Sequence, residues 1–228
     1  MKNLCIIPAR GGSKRIPRKN IKPFMGKPII AYSIDNAKAT GLFDEIMVST
    51  DDPEIVEIAK QYGASIPFLR SEKTANDYAT LADVLQEVVE KYAEEGKRFD
   101  NMCCVLATCP LIKSEYISEA YKRLVDTDFT TICPMVQYSY PIQRSYSMED
   151  NGEVTMNWPE YAKSRSQDLK PAYHDSGTFY WHKIEPWLAG NRRRGGIVIS
   201  EDLVQDIDTE QDWKMAEMKY KIVFNSII

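Results

Sequence analysis

The sequence predicts an open α/β fold with a mostly parallel sheet, and three observations carry that reading. Short apolar runs alternate with segments of helical period along most of the chain. The run Met102 to Ala107 is apolar almost throughout, as in strands covered on both faces. A basic, glycine-containing loop follows the first apolar run, at the place where open α/β folds bind ligands.

Leu4 to Pro8 reads as the first strand, and Lys27 to Ala39 as a helix with Ile30, Ile34 and Ala37 on one face. Glu45 to Ser49 is the second strand. A helix from Pro53 to Tyr62 has proline at its start and Gly63 just past its end. From about Ala79 to Tyr92 a further helix gathers Leu81, Val84, Leu85, Val88 and Val89, ahead of the Met102 strand. Helix Glu115 to Val125, strands Thr130 to Val136, Gly177 to His182 and Gly196 to Ile199, and a last helix from about Thr209 to Lys221 complete the alternation. Tyr138 to Pro171 breaks it. That stretch is rich in Tyr, Pro, Ser and Asn, with only short strand-like pieces such as Val154 to Asn157, and reads as a functional or subunit-contacting excursion. At 228 residues with 43% hydrophobic residues, the chain fits one domain with that excursion at 138–171.

Charge is unevenly distributed. The first 34 residues hold eight Lys or Arg and no Asp or Glu, a local +8, within a chain whose net charge is −4. So focused a charge suggests a site for a small anionic ligand, and the acidic remainder argues against nucleic acid. The five cysteines are odd in number, include the adjacent pair Cys103 and Cys104, and lack C-x-x-C spacing, so neither a disulfide framework nor a zinc site is indicated. No run approaches the ~20 apolar residues of a membrane span, and Leu4 to Ile7 is too short for a signal-peptide core. The expectation is a soluble cytoplasmic protein with reduced thiols.

The loop from Pro8 to Asn20 reads as a polyphosphate cradle: Gly11 and Gly12 let backbone N–H groups approach an anion, and Arg10, Lys14 and Lys19 add charge. It matches neither G-x-G-x-x-G nor G-x-x-x-x-G-K-[ST], so dinucleotide and P-loop readings fail. The plain alternative is a solvated basic loop. Near the other end, Asp206 and Asp208 stand two apart, so extended backbone puts both carboxylates on one face, where they can hold Mg²⁺. Helix capping by Asp208 or Thr209 is the competing explanation.

Residues 7–20, IPARGGSKRIPRKN, closely resemble the N-terminal signature of the CMP-sialic acid synthetases and their relatives that activate other nonulosonic acids. The resemblance implies a Rossmann-like, three-layer nucleotide-diphospho-sugar transferase fold over residues 1–228, with 138–171 as a dimerisation and substrate-capping insertion. It implies a CTP site made by Ala9, Arg10, Gly11, Gly12, Ser13, Lys14, Lys19 and Asn20, in which Arg10, Lys14 and Lys19 act on the triphosphate and the departing pyrophosphate. The family's Asp-x-Asp-Thr element implies Mg²⁺, or Mn²⁺ in its place, on Asp206 and Asp208. Arg70 resembles the family arginine that contacts cytidine, with Ser71 where proline is usual.

On the acceptor side, Ala107 to Leu111 resembles the family's Pro-Thr-x-Pro loop over the sugar, which implies Thr108 as a contact, with Ala107 and Cys109 as departures. A strand-ending turn is the alternative there. Arg165-Ser-Gln-Asp168 and the run Tyr173 to Tyr180 resemble elements that imply Gln167 and Arg165 at the sugar, the arginine reaching a neighbouring subunit's site in a homodimer. The alternative makes Arg165 and Asp168 a surface pair. Within the family, Tyr138 to Arg144 and the stretch Ser166 to Asp175 most resemble pseudaminic acid cytidylyltransferases. The implied reaction is CMP transfer from CTP to the anomeric hydroxyl of that sugar. Acceptors such as N-acetylneuraminic acid, legionaminic acid or Kdo remain open, as does a non-catalytic nucleotide-binding module. His174 is not expected to act as a base, and Arg192 to Arg194 read as a solvated turn.

Overall fold

A computed structural model describes residues 1–224. The chain forms β1 (Asn3–Pro8), a small hairpin of β2 (Pro23–Phe24) and β3 (Lys27–Pro28), α1 (Ile29–Thr40), β4 (Glu45–Ser49) and α2 (Pro53–Gln61). Then come α3 (Glu72–Ala75), α4 (Leu81–Glu94), β5 (Asn101–Val105), α5 (Ser114–Val125) and β6 (Thr131–Gln137). The excursion carries β7 (Tyr146–Met148) and β8 (Val154–Met156), and the chain returns through β9 (Tyr173–Asp175), β10 (Phe179–Lys183), α6 (Ile184–Leu188), β11 (Arg194–Val198) and α7 (Glu210–Phe224).

The main sheet has seven strands in the order β11-β6-β10-β5-β1-β4, with β9 paired to β6. Alternation along β1 divides the core. Cys5 and Ile7 face Ile30 and Ile34 of α1 and Ile117 and Leu124 of α5, whereas Leu4 and Ile6 face Leu85 and Val88 of α4 and Trp187 of α6. The result is three layers, helix, sheet and helix.

Two expectations need correction. The first helix begins at Ile29 and not Lys27, because Pro28 sits at its N-cap and Lys27 pairs with Phe24 in the hairpin. The Gly177 to His182 strand begins at Phe179 and runs antiparallel to both β5 and β6. The chain re-enters at the carboxyl end of β6, where β9 pairs with it antiparallel from Gln137 and Tyr173 onward, and β10 continues in the direction of β9. The short helices α3 and α6 were not expected from the pattern.

From β1 the chain goes to β4 on one side and later to β5 on the other. The strand order therefore reverses between β1 and β5, which places a crevice at their carboxyl ends. A third apolar cluster closes one side of that crevice: Ile16 of the basic loop is fully buried with Phe24, Ile207 and Trp213. No helix among the described residues is long and apolar enough to cross a membrane.

Candidate active site

The crevice is a cleft of about 530 Å³ walled by Pro8 and Leu106 to Thr108 at the strand ends, by Arg70, and by the basic loop. Not all of the loop's charge faces it. Arg18 turns away in a left-handed conformation (φ 56°) and grips Asp52, its Nη2 2.8 Å from Oδ1, with Glu54 alongside. The Arg18 hydrogen bond, helped by backbone N–H groups of Glu54 and Ile55, brings the Asp52 carboxyl down to about 2 although partial burial opposes it. Asp52 is also the N-cap of α2, so one carboxylate fixes both the helix start and the loop. Gly11 passes so close to it that a Cβ there would lie 2.5 Å from Asp52 Oδ2. Lys22 is likewise spent on Glu210, at 2.6 and 2.7 Å.

Arg10, Ser13, Lys14, Arg15, Lys19 and Asn20 line the cleft. Asn20 Nδ2 donates to the Arg10 carbonyl at 2.9 Å and closes the loop on itself. Lys19 Nζ donates to the Ile207 carbonyl at 2.6 Å and lies 3.5 Å from Asp208 Oδ1. An ammonium has three N–H donors, so Lys19 is oriented and still has capacity for a ligand. Ala9, Gly11 and Gly12 form the backbone between these residues, with Ala9 N–H donating to the Ser49 carbonyl at 2.9 Å.

Arg70 is buried beside them, its Nε 3.2 Å from Ser49 Oγ and its Nη2 2.7 Å from the Ser49 carbonyl. Burial lowers its proton affinity, and the nearby charges of Asp51 and Glu87 oppose that. Ser71 donates through both N–H and Oγ to Glu87, at 2.9 and 2.7 Å, the first a bond proline has no hydrogen to make. Burial would push the Glu87 carboxyl up, but Lys91, Thr74 and Ser71 together hold it at about 2.

Asp208 lines the cleft opposite, with Arg15 Nη1 2.9 Å from its Oδ2. The capping question resolves in favour of Thr209: its Oγ1 accepts from Asp212 N–H at 3.2 Å, and Asp212 Oδ2 accepts from Thr209 N–H at 2.8 Å. The Asp208 carboxylate is thereby released from capping. Asp206 lies exposed on the same stretch, beyond buried Ile207, and is not among the cleft's lining residues.

Thr108 reaches the cleft, but Cys109 turns into the core, with Sγ 2.9 Å from the Leu106 carbonyl. Arg165 and Gln167 are not brought to this cleft. They sit exposed on the excursion, where Arg165 Nε pairs with Asp168 at 2.7 Å. His174 also lies away from it, its ring against Tyr138. The Arg192 to Arg194 turn is less free than expected, since Arg192 stacks over Trp187 at 4.8 Å. With Arg194, Tyr180 and Asp175 it lines a second cavity of about 220 Å³, and Leu81 lines both cavities. Sequence reasoning missed Arg15, Asp77 and Thr80 as cleft residues. Arg15 had the basic run as its signal and Thr80 the local capping pattern with Asp83, whereas Asp77 had none, because its place depends on contacts more than 60 residues away.

A cleft with several cations, the two carboxylates of Asp77 and Asp208, and a buried arginine suits a polyphosphate and the charge that develops on it. Comparison with known proteins agrees with that chemistry. A family model described as cytidylyltransferase matches residues 4–216. The chain is 44% identical over 226 residues to a pseudaminic acid cytidylyltransferase of Campylobacter jejuni, covering 97% of both chains. It is 30% identical to a CMP-N,N'-diacetyllegionaminic acid synthase of Legionella pneumophila, covering 95% of each. Among solved structures it is similar in fold to a CMP:2-keto-3-deoxy-manno-octonic acid synthetase complexed with CTP, with a TM-score of 0.68, 18% identity, and coverage of 96% of this chain and 98% of the other. The match runs through both sheet faces and both walls of the cleft, and the chain belongs to the cytidylyltransferase family.

Proposed function

We propose that the protein transfers CMP from CTP to the anomeric hydroxyl of pseudaminic acid and releases pyrophosphate. The observation that carries this reading is the convergence of Arg10, Lys14 and Lys19 with Arg70 and Thr108 on one cleft at the strand-order reversal. The 44% identity to the Campylobacter jejuni protein supports pseudaminic acid as the acceptor.

In this reading Arg10, Lys14 and Lys19, with backbone N–H groups near Gly11 and Gly12, hold the triphosphate and offset charge on the leaving pyrophosphate. Arg70 meets the cytidine, and Ser13 and Asn20 shape the phosphate loop. The acceptor extends from Thr108 toward the second cavity, where Tyr180 Oη donates to Asp175 Oδ1 at 2.9 Å. Among the described residues no group of three or more His, Cys, Asp or Glu could hold a metal. A set of one or two carboxylates suits Mg²⁺, which keeps waters and substrate phosphates as its other ligands, and Mn²⁺ can replace it. Asp208, with Asp206 beside it, would hold that ion. When bound, it offsets phosphate charge and orients the reacting group.

The excursion completes the reading. Arg165 serves the neighbouring subunit's acceptor in a homodimer, with Gln167 close by, and bidentate pairing to the sugar's carboxylate is its task. Arg165→Ala is expected to raise KM for the acceptor roughly tenfold or more and to leave KM for CTP unchanged. A fully active monomer in gel filtration would overturn the shared site. A cytoplasmic location accords with five free, buried thiols.

Pyrophosphate release with CTP and Mg²⁺ tests the function, using pseudaminic, legionaminic and N-acetylneuraminic acids and Kdo as acceptors and ATP, GTP and UTP as controls. Release with CTP and pseudaminic acid alone is the expected result. Preference for another acid would move the acceptor assignment, and CTP binding without release in any pair would reject catalysis.

A further inference from the structure

Asp77, on the turn between α3 and α4, is the one carboxylate in the cleft that the proposed reaction does not use. Its Oδ1 lies 2.7 Å from Arg10 Nη1 and its Oδ2 pairs with the Lys14 ammonium, so both leading cations of the basic loop are engaged by one side chain. Arg10 Nη1 also donates to the Asn76 carbonyl at 3.2 Å. Lys14 first, and then Arg10, hold the Asp77 carboxyl below the usual carboxylate range, which keeps it ionised at neutral pH.

The turn does not need Asp77 for its shape. Asn76 Oδ1 accepts from the Tyr78 and Ala79 N–H groups at 2.8 and 3.0 Å, and Asn76 Nδ2 donates to the Lys73 carbonyl at 2.7 Å. At its base, Ser71 and Thr74 are tied to Glu87 of α4. Asp77 is exposed, and its side chain makes no bond within its own turn, only across the cleft.

We propose that Asp77 is an internal anion that competes with phosphates for Arg10 and Lys14, and so sets how tightly the cleft holds CTP and how readily it gives up pyrophosphate. The inference rests on the reading that these two cations bind phosphate. A carboxylate already on both cations is repelled by phosphate oxygens that approach them, because anions of like charge repel at contact distance. Exposed ion pairs are weak, so the exchange is easy in both directions. On the product side, Asp77 recaptures the cations as pyrophosphate leaves.

The test measures dissociation constants of CTP and of pyrophosphate by titration calorimetry. It uses the wild type, Asp77→Asn, the pair Arg10→Ala with Lys14→Ala, and the triple variant. Asp77→Asn keeps shape and removes charge, and is expected to tighten both ligands roughly threefold to tenfold. Asp128→Asn, which removes an exposed charge on the loop before β6, is expected to change neither. The gain from Asp77→Asn is expected to vanish once Arg10 and Lys14 are gone. Unchanged or weaker binding in Asp77→Asn would overturn the proposal, as would an equal gain in Asp128→Asn or a gain that survives in the triple variant. If the Arg10 and Lys14 pair can be removed without weakening CTP, the phosphate reading falls and the inference with it. If their removal weakens CTP while Asp77→Asn does not tighten it, the inference alone fails.

Discussion

Replacing Lys19 by alanine is expected to lower turnover by roughly 10²- to 10³-fold, in line with the loss of one fixed charge aimed at a developing anion. The geometry argues for so large an effect because Lys19 is the most constrained of the cleft's lysines. Its Nζ is held by the Ile207 carbonyl at 2.6 Å and faces Asp208 at 3.5 Å, which ties the basic loop to the segment before α7. A charge so oriented needs no reorganisation when a phosphate arrives. The fold is expected to survive, since Ile16, fully buried with Ile207 and Trp213, still anchors the loop. Lys19→Arg separates charge from position: it restores charge with a longer, planar head, and recovery of only a small part of the rate is expected. Steady-state rates beside a thermal melt check both points, and near-normal turnover in Lys19→Ala would remove the residue from the mechanism.

Asp208→Asn is expected to cost roughly 10²-fold or more in kcat/KM and to shift the Mg²⁺ titration to much higher concentration. The amide keeps the side chain's size and loses its charge. Because Thr209 and Asp212 cap α7, the substitution leaves the helix start intact, and unfolding is not expected to confound it. Binding of Mn²⁺ followed by electron paramagnetic resonance gives a readout independent of turnover. An unchanged metal titration would count against Asp208 as a ligand. Asp206→Asn is expected to have the smaller effect, since that carboxylate is exposed and outside the cleft wall.

Much of the fold was legible because its signals are local. Helix and strand periods located β1, α2, α4 and β5 to within two or three residues, and Thr80 with Asp83 closes a capping box at the α4 start. The direction of β10 was not legible, since the strand pattern of Phe179 to Lys183 does not say toward which end of the sheet it runs. What decided it was the return of the excursion to the carboxyl end of β6, where β9 pairs antiparallel, a fact about the excursion and not about the strand.

The candidate site divides in the same way. The run from Pro8 to Asn20 announced its charge, and resemblance assigned roles to Arg70, Thr108 and Asp208, which the structure gathers around one cleft. The sequence could not sort the basic residues. Arg18 and Lys22 look no different from Lys14 and Lys19 until Asp52, Glu54 and Glu210 are brought beside them. Nor could spacing say which of Asp206 and Asp208 faces inward, or that Thr209 would take over the cap.

By itself, then, the sequence determined the layered α/β class, the basic-loop signature and the family, all of which are written in residues adjacent along the chain. Only the tertiary structure decided which charges are spent on holding the loop and which remain for a ligand, and it alone placed Asp77 against Arg10 and Lys14. The physical reason is that an ion pair depends on where two side chains end in space. For pairs separated by 63, 67 and 188 residues, that position follows from the packing of the whole sheet and leaves no local pattern to read.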